Sequence, residues 1–150
     1  MKSLRNPHDK RSIIERIESL TGDEKPLWGK MNVRQMVSHL VQSGEMPFEP
    51  ILTEKSSFAS RHLIKPLVLY VLPMPKEIKT SPELDQQEGG RPPQDFAEDK
   101  RLAIEYVMRL SRLPNGHKCS YHPFFGPMTV REWGLIAYKH FDHHLRQFGV

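Results

Sequence analysis

The most informative part of the sequence lies near the end of the chain, where residues 129–145 read TVREWGLIAYKHFDHHL. Thr129 and Glu132 have the spacing of a capping box, in which each side chain binds a backbone N–H at the start of a helix. Val130, Trp133 and Ala137 then recur at intervals of three and four residues. This spacing predicts an amphipathic helix that buries one face.

Two histidines continue the apolar stripe of this helix. His140 and His144 occupy positions where a core helix usually carries Leu or Ile. An i, i+4 pair places both imidazoles on one face and close enough to share an ion. Buried imidazoles need polar partners. The spacing alone leaves two interpretations open, a metal site or a pair of core histidines bonded to carbonyl or carboxylate oxygens.

Three further helices are predicted from caps and apolar periodicity. Together with the last helix, they cover approximately residues 6–20, 32–43, 93–113 and 129–148. This pattern predicts an all-α fold, a four-helix bundle formed by a single domain that spans residues 1–150.

A long proline-rich crossover separates the second and third helices. Residues 46–93 hold eight of the 13 prolines, with room for one short helix at 61–72. Long connections are uncommon between helices and are often functional. A wall or lid over a pocket and a plain crossover both remain open.

His39 lies inside the second helix, but to one side of its apolar stripe. The helical period alone therefore places His39 on a flank, where histidines are more often solvated than liganded.

Four motifs carry a resemblance to a known family. They are Trp28-Gly29, Met36-x-x-His39-Leu40, His122-Pro123-x-Phe125-Gly126 and His140-Phe141-Asp142-His143-His144-Leu145-x-Gln147-Phe148-Gly149. In this combination the chain resembles a bacterial branch of the DinB-like (DinB/YfiT) superfamily of metalloenzymes. The resemblance covers most of the chain and is most specific in its last thirty or so residues.

The resemblance implies a four-helix bundle with three histidine metal ligands, His39 from the second helix and His140 and His144 from the fourth. It implies a divalent transition metal, Zn or Ni first. It also implies a low-molecular-weight thiol as cosubstrate, in thiol-dependent S-transfer or hydrolysis of a small electrophilic molecule. Catalytic side chains beyond the ligands are not assigned. The alternative is a non-catalytic bundle that binds a small molecule or a partner protein and holds a structural metal.

Two further histidines are candidates for the surroundings of such a site. His143 is about 80° from the midline of the His140–His144 pair by the helical period, which favours an outer or surface role over ligation. His122 precedes the last helix in a proline-rich loop and is a candidate pocket residue.

Composition narrows the class of protein further. The net charge of +4 is spread along 150 residues without a long basic run, which argues against nucleic acid as a partner. The single cysteine, Cys119, fits a reducing compartment. The chain shows neither a signal peptide nor an apolar segment long enough to span a bilayer. We therefore expect a cytoplasmic protein with a small-molecule substrate, no membrane association and a tendency to form homodimers.

Overall fold

The computed structural model describes residues 1–76 and 81–150, and these residues contain helices and no β-strand. The all-α prediction is therefore confirmed. The helices are α1 (Pro7–Ser19), α2 (Val33–Glu45), a π-helical turn (Ser60–Ile64) that runs into α3 (Lys65–Tyr70), α4 (Phe96–Arg112) and α5 (Val130–Gln147). Within the described ranges, none of these helices combines the length and the apolar character needed to cross a bilayer.

Side-chain caps define where the long helices begin. Asn32 starts α2 and Thr129 starts α5, each with a complete capping box that includes a partner three residues later. The start predicted for the third helix at residue 93 was early. Its first turn begins after Asp95, whose carboxylate accepts a hydrogen bond from the Glu98 N–H.

The end predicted for the second helix at residue 43 was also early, because α2 continues to Glu45. Gly44 is buried against α4, and a Cβ atom there would lie 2.9 Å from the Cβ atom of Tyr106. Gly44 therefore permits close packing of α2 on α4 and does not end the helix.

The four long helices share one hydrophobic core. α2 packs against α4 and α5, α1 packs against the same two helices, and α4 also contacts α5. Their fully buried side chains form a single cluster, which includes Ile13, Ile17, Met36, Val37, Leu40, Val107, Phe141 and Leu145. Residues 140 to 144 of α5 therefore border this core.

The connection between α2 and α4 contains the short helix close to where the sequence placed it. Part of the proline-rich crossover predicted for residues 46–93 falls at 77–80, outside the described residues. Residues 81–91, here called the strap, lie along α2. The side chains of Gln35 and Gln42 donate hydrogen bonds to strap carbonyls, and Ser38 Oγ donates to the Arg91 carbonyl at 2.8 Å. The strap thus covers the face of α2 that carries Ser38 and His39.

Candidate metal centre

Three histidine side chains from two helices converge on one point. His39 comes from α2, and His140 and His144 come from successive turns of α5. The Nε2 atom of His140 lies 3.1 Å from Nε2 of His39 and 3.1 Å from Nε2 of His144. The three rings meet nearly at right angles, with interplanar angles of 70°, 78° and 87°, so that their edges face one another. Among the described residues these three form a group that could hold a metal ion.

Burial keeps these imidazoles neutral. His39 and His144 are only 8% and 9% exposed, whereas His140 keeps somewhat more surface. Burial lowers the pKa of His39 from an ordinary value of 6.5 to about 4. Burial and the neighbouring His39 lower the pKa of His144 to about 3, and burial with the other histidines lowers the pKa of His140 well below its usual value. All three therefore offer the neutral ring, with one nitrogen free of hydrogen, that a metal requires.

The nitrogen geometry fits a shared cation better than it fits hydrogen bonds among the rings. An imidazole nitrogen carries either one hydrogen or one lone pair. Nε2 of His140 can therefore make only one good N–H···N bond, although it faces two other Nε2 atoms at equal distance. Zn–N bonds of about 2.0–2.1 Å place two nitrogen ligands of a tetrahedral ion about 3.3 Å apart, close to the observed separations. The donor set is also one that Zn and Ni accept.

A series of hydrogen bonds holds His144 on the side of its Nδ1 atom. Its Nδ1 atom lies 2.9 Å from Oε1 of Gln147, and Nε2 of Gln147 donates to the backbone carbonyl of Trp28 at 2.7 Å. The Leu27 N–H donates to the Gln147 carbonyl at 2.8 Å. The loop that contains Trp28 and Gly29 is therefore fastened to the last turn of α5.

The structure buries His39, which the helical period placed on a flank. That interpretation was wrong because α2 is covered by α4, by α5 and by the strap, so a residue beside the apolar stripe also faces protein. The Leu84 backbone and the charge of Asp85, both in the strap, oppose part of the lowering of the His39 pKa. Nδ1 of His39 nevertheless makes no well-formed hydrogen bond to any described residue.

His143 lies beside the three-histidine group and does not join it. Its ring meets His144 edge-on at a centroid distance of 5.0 Å and Trp28 at 5.7 Å. It is only 6% exposed, so it lies inside the protein and not at the surface. Burial has the largest effect on the pKa of His143 and lowers it, and the positive charge of Arg146 lowers it further.

His122 lies outside the group and has a different set of neighbours. Its ring packs against Phe125 and Trp133, at centroid distances of 4.6 and 5.4 Å. Nδ1 of His122 accepts hydrogen bonds from the N–H groups of Phe124 and Phe125, and burial lowers the pKa of the ring to about 4. His122 thus stabilises the turn before α5.

Gln147 also contacts the centre, although the sequence alone assigned it no role there. It appeared only as part of a motif, although its position three residues after His144 places the two side chains on the same face of α5. The capture of its amide by Trp28, 119 residues earlier in the chain, has no local sequence signal.

Comparison with known proteins identifies a family but no relative of known function. No curated protein and no solved structure matches the chain. One family model, described as a protein of unknown function (DUF1569), matches residues 2–149. Because this match spans nearly all of the 150 residues, the chain belongs to the DUF1569 family.

Proposed function

We propose that this protein is a divalent-metal-dependent enzyme that transfers a thiol to a small electrophilic molecule, or hydrolyses such a molecule, at the three-histidine centre. The observation that carries the proposal is the convergence of the Nε2 atoms of His39, His140 and His144, two pairs of which are 3.1 Å apart. Three protein ligands are typical of catalytic sites, which leave a further coordination position to water or substrate.

We also propose that the four long helices form a bundle of the DinB-like type. Their contacts support this arrangement, since the pairs α1–α4, α4–α2, α2–α5 and α5–α1 close a ring. In that arrangement the second helix contributes His39 and the fourth contributes the His140–His144 pair, as the resemblance implies.

The neutral ligand set determines the chemistry that a bound metal would supply. A divalent ion held by three uncharged imidazoles keeps its full charge and lowers the pKa of a bound thiol or water. The role of this chain is to present three unprotonated nitrogens from two helices and to limit water around them, since two of the rings are less than 10% exposed. A low-molecular-weight thiol is the proposed cosubstrate.

The low solvent exposure of the same centre favours a second candidate function, a non-catalytic bundle with a structural metal. His39 and His144 are almost completely buried. Two surface clefts lie elsewhere, one beside Arg5 and Tyr70 and the other beside Arg61 and Lys65, and the three histidines line neither. A buried centre of this kind would join α2 to α5 without turning over a substrate.

Metal content of tag-free protein tests whether the centre binds an ion. We expect about one divalent ion per chain by mass spectrometry in the wild type, and loss of that ion in His144→Ala and His39→Ala, because each variant removes one ligand. His117→Ala is the matched control, because His117 is exposed and lies outside the group. An ion-free wild-type protein, even after addition of Zn or Ni, would contradict the metal-dependent function.

Thiol-transfer assays then separate the enzyme from the structural alternative. Metal-loaded protein would be incubated with glutathione or cysteine and an aryl halide or epoxide, and loss of free thiol would be followed. We expect turnover that disappears in His144→Ala and persists in His117→Ala. A stoichiometric metal without turnover on any of these electrophiles would favour the structural bundle.

A further inference from the structure

Gln147 and the Trp28-Gly29 loop form an outer layer behind one of the three histidines. His144 has one nitrogen directed at His140 and the other directed at Gln147. A histidine can bind a metal through Nε2 only in the tautomer that carries its hydrogen on Nδ1. The hydrogen-bond partner of Nδ1 therefore determines whether Nε2 of His144 can act as a metal ligand.

The orientation of the Gln147 amide follows from its second partner. The partner is the backbone carbonyl of Trp28, 2.7 Å from the amide, and a carbonyl oxygen can only accept a hydrogen bond. The NH₂ group of Gln147 must therefore face Trp28, and its oxygen must face His144. Since that oxygen accepts only, Nδ1 of His144 must carry the hydrogen.

We propose that Gln147 is a positioning residue that, held by the Trp28 carbonyl, fixes His144 in the Nδ1–H tautomer and directs its Nε2 lone pair at His39 and His140. The inference rests on the proposed function, because the lone pair matters only where a metal binds. Outer-layer hydrogen bonds of this kind fix ring orientation, and their loss typically lowers metal affinity by about 10- to 100-fold.

Gly29 is part of the same arrangement. Its φ angle is +77°, and a Cβ atom there would lie 2.6 Å from Nε2 of Gln147. A side chain at this position would therefore displace the amide from the Trp28 carbonyl. Gly149 provides a matched comparison, because its φ angle is +78° and no atom lies within 4 Å of the Cβ position. Alanine at either position introduces similar backbone strain, but only Gly29→Ala disturbs Gln147.

Nitrogen-15 NMR of the metal-free protein measures the tautomer directly. We expect His144 to carry its hydrogen on Nδ1 in the wild type. In Gln147→Met, which keeps a side chain of similar length but removes the acceptor, we expect the Nε2–H form to appear. A wild-type His144 protonated on Nε2, or an unchanged tautomer in Gln147→Met, would overturn the proposal.

Zn affinity, measured by competition with a chelator, gives the second readout. We expect a loss of about 10- to 100-fold in Gln147→Met. We also expect a larger loss in Gly29→Ala than in Gly149→Ala, and circular dichroism would verify that each variant is folded. Equal affinities for the two glycine variants would contradict the role of the loop. The tautomer is measured without metal. A wild-type protein that binds no Zn would therefore refute the proposed function, whereas the NMR measurement alone would decide whether Gln147 positions His144.

Discussion

His144, which is buried, and His122, which is partly buried, are held in opposite tautomers by their neighbours. Nδ1 of His144 faces an acceptor, the oxygen of Gln147, and must donate. Nδ1 of His122 faces two donors, the N–H groups of Phe124 and Phe125, and must accept. The residue type is the same, but the backbone and side-chain partners assign a metal-facing lone pair to one ring and a turn-stabilising role to the other.

The role of His122 leads to a prediction about the turn that precedes α5. Asn and Leu have similar shapes, and both remove the ring from Phe125 and Trp133. Only Asn retains an oxygen near the position of Nδ1. We expect His122→Leu to be less stable than His122→Asn by about 1 kcal/mol, because the N–H groups lose their acceptor. Urea unfolding at neutral pH measures the difference, and equal stabilities would show that these hydrogen bonds contribute nothing.

The strap is joined to two helices, α2 and α4, through Arg91. Nη1 of Arg91 lies 2.8 Å from Oδ1 of Asp99 in α4 and donates to Ser38 Oγ in α2 at 2.8 Å. Asp99 is 1% exposed, and its other oxygen accepts from the Gln94 N–H. Because Ser38 directly precedes His39, this network also fixes the part of α2 that carries the first histidine of the centre.

Removing the charge of Arg91 should therefore destabilise the fold strongly. Arg91→Met leaves the carboxylate of Asp99 buried without its ion pair, and we expect a loss of about 2–4 kcal/mol, somewhat reduced by the partial exposure of Arg91. Arg101→Met is the control, because Arg101 pairs with Glu98 and Glu105 on the exposed face of α4, where solvent screens the charges, and its removal should change the stability much less. Denaturant unfolding of both variants measures this, and similar losses would contradict a special role for Arg91.

The helices differ in how much of their position the sequence could predict. The capping boxes at Asn32 and Thr129 are local signals, and the helices begin where those signals lie. The extension of α2 past Gly44 and the burial of His39 depend on contacts with α4, α5 and the strap, which are distant in the sequence. The pairing of His140 with His144 was visible from spacing, whereas the capture of Gln147 by Trp28 required the fold. Local chemistry therefore predicted the elements and part of the centre, and long-range packing determined the rest.

The number of histidines kept neutral in the whole folded molecule should determine how its stability depends on pH below neutrality. Burial lowers the pKa of His39, His122, His140 and His144, to about 4 for the first two and about 3 for the last. In the unfolded chain each of these groups returns to a pKa of about 6.5. Below that pH the unfolded state binds more protons than the folded state, so stability must fall as the pH falls from about 6.5 towards 4.

The size of this effect can be predicted for the metal-free protein. At about pH 5 an unfolded histidine is almost fully protonated, whereas these four folded histidines are mostly neutral, so unfolding should take up about four protons. Each proton lowers the free energy of unfolding by about 1.4 kcal/mol per pH unit. Urea unfolding at about pH 7, 6 and 5 measures the slope, and His122→Asn should reduce the uptake by about one proton. A free energy of unfolding that stays constant over this range would mean that the histidines of the centre are not held neutral by burial.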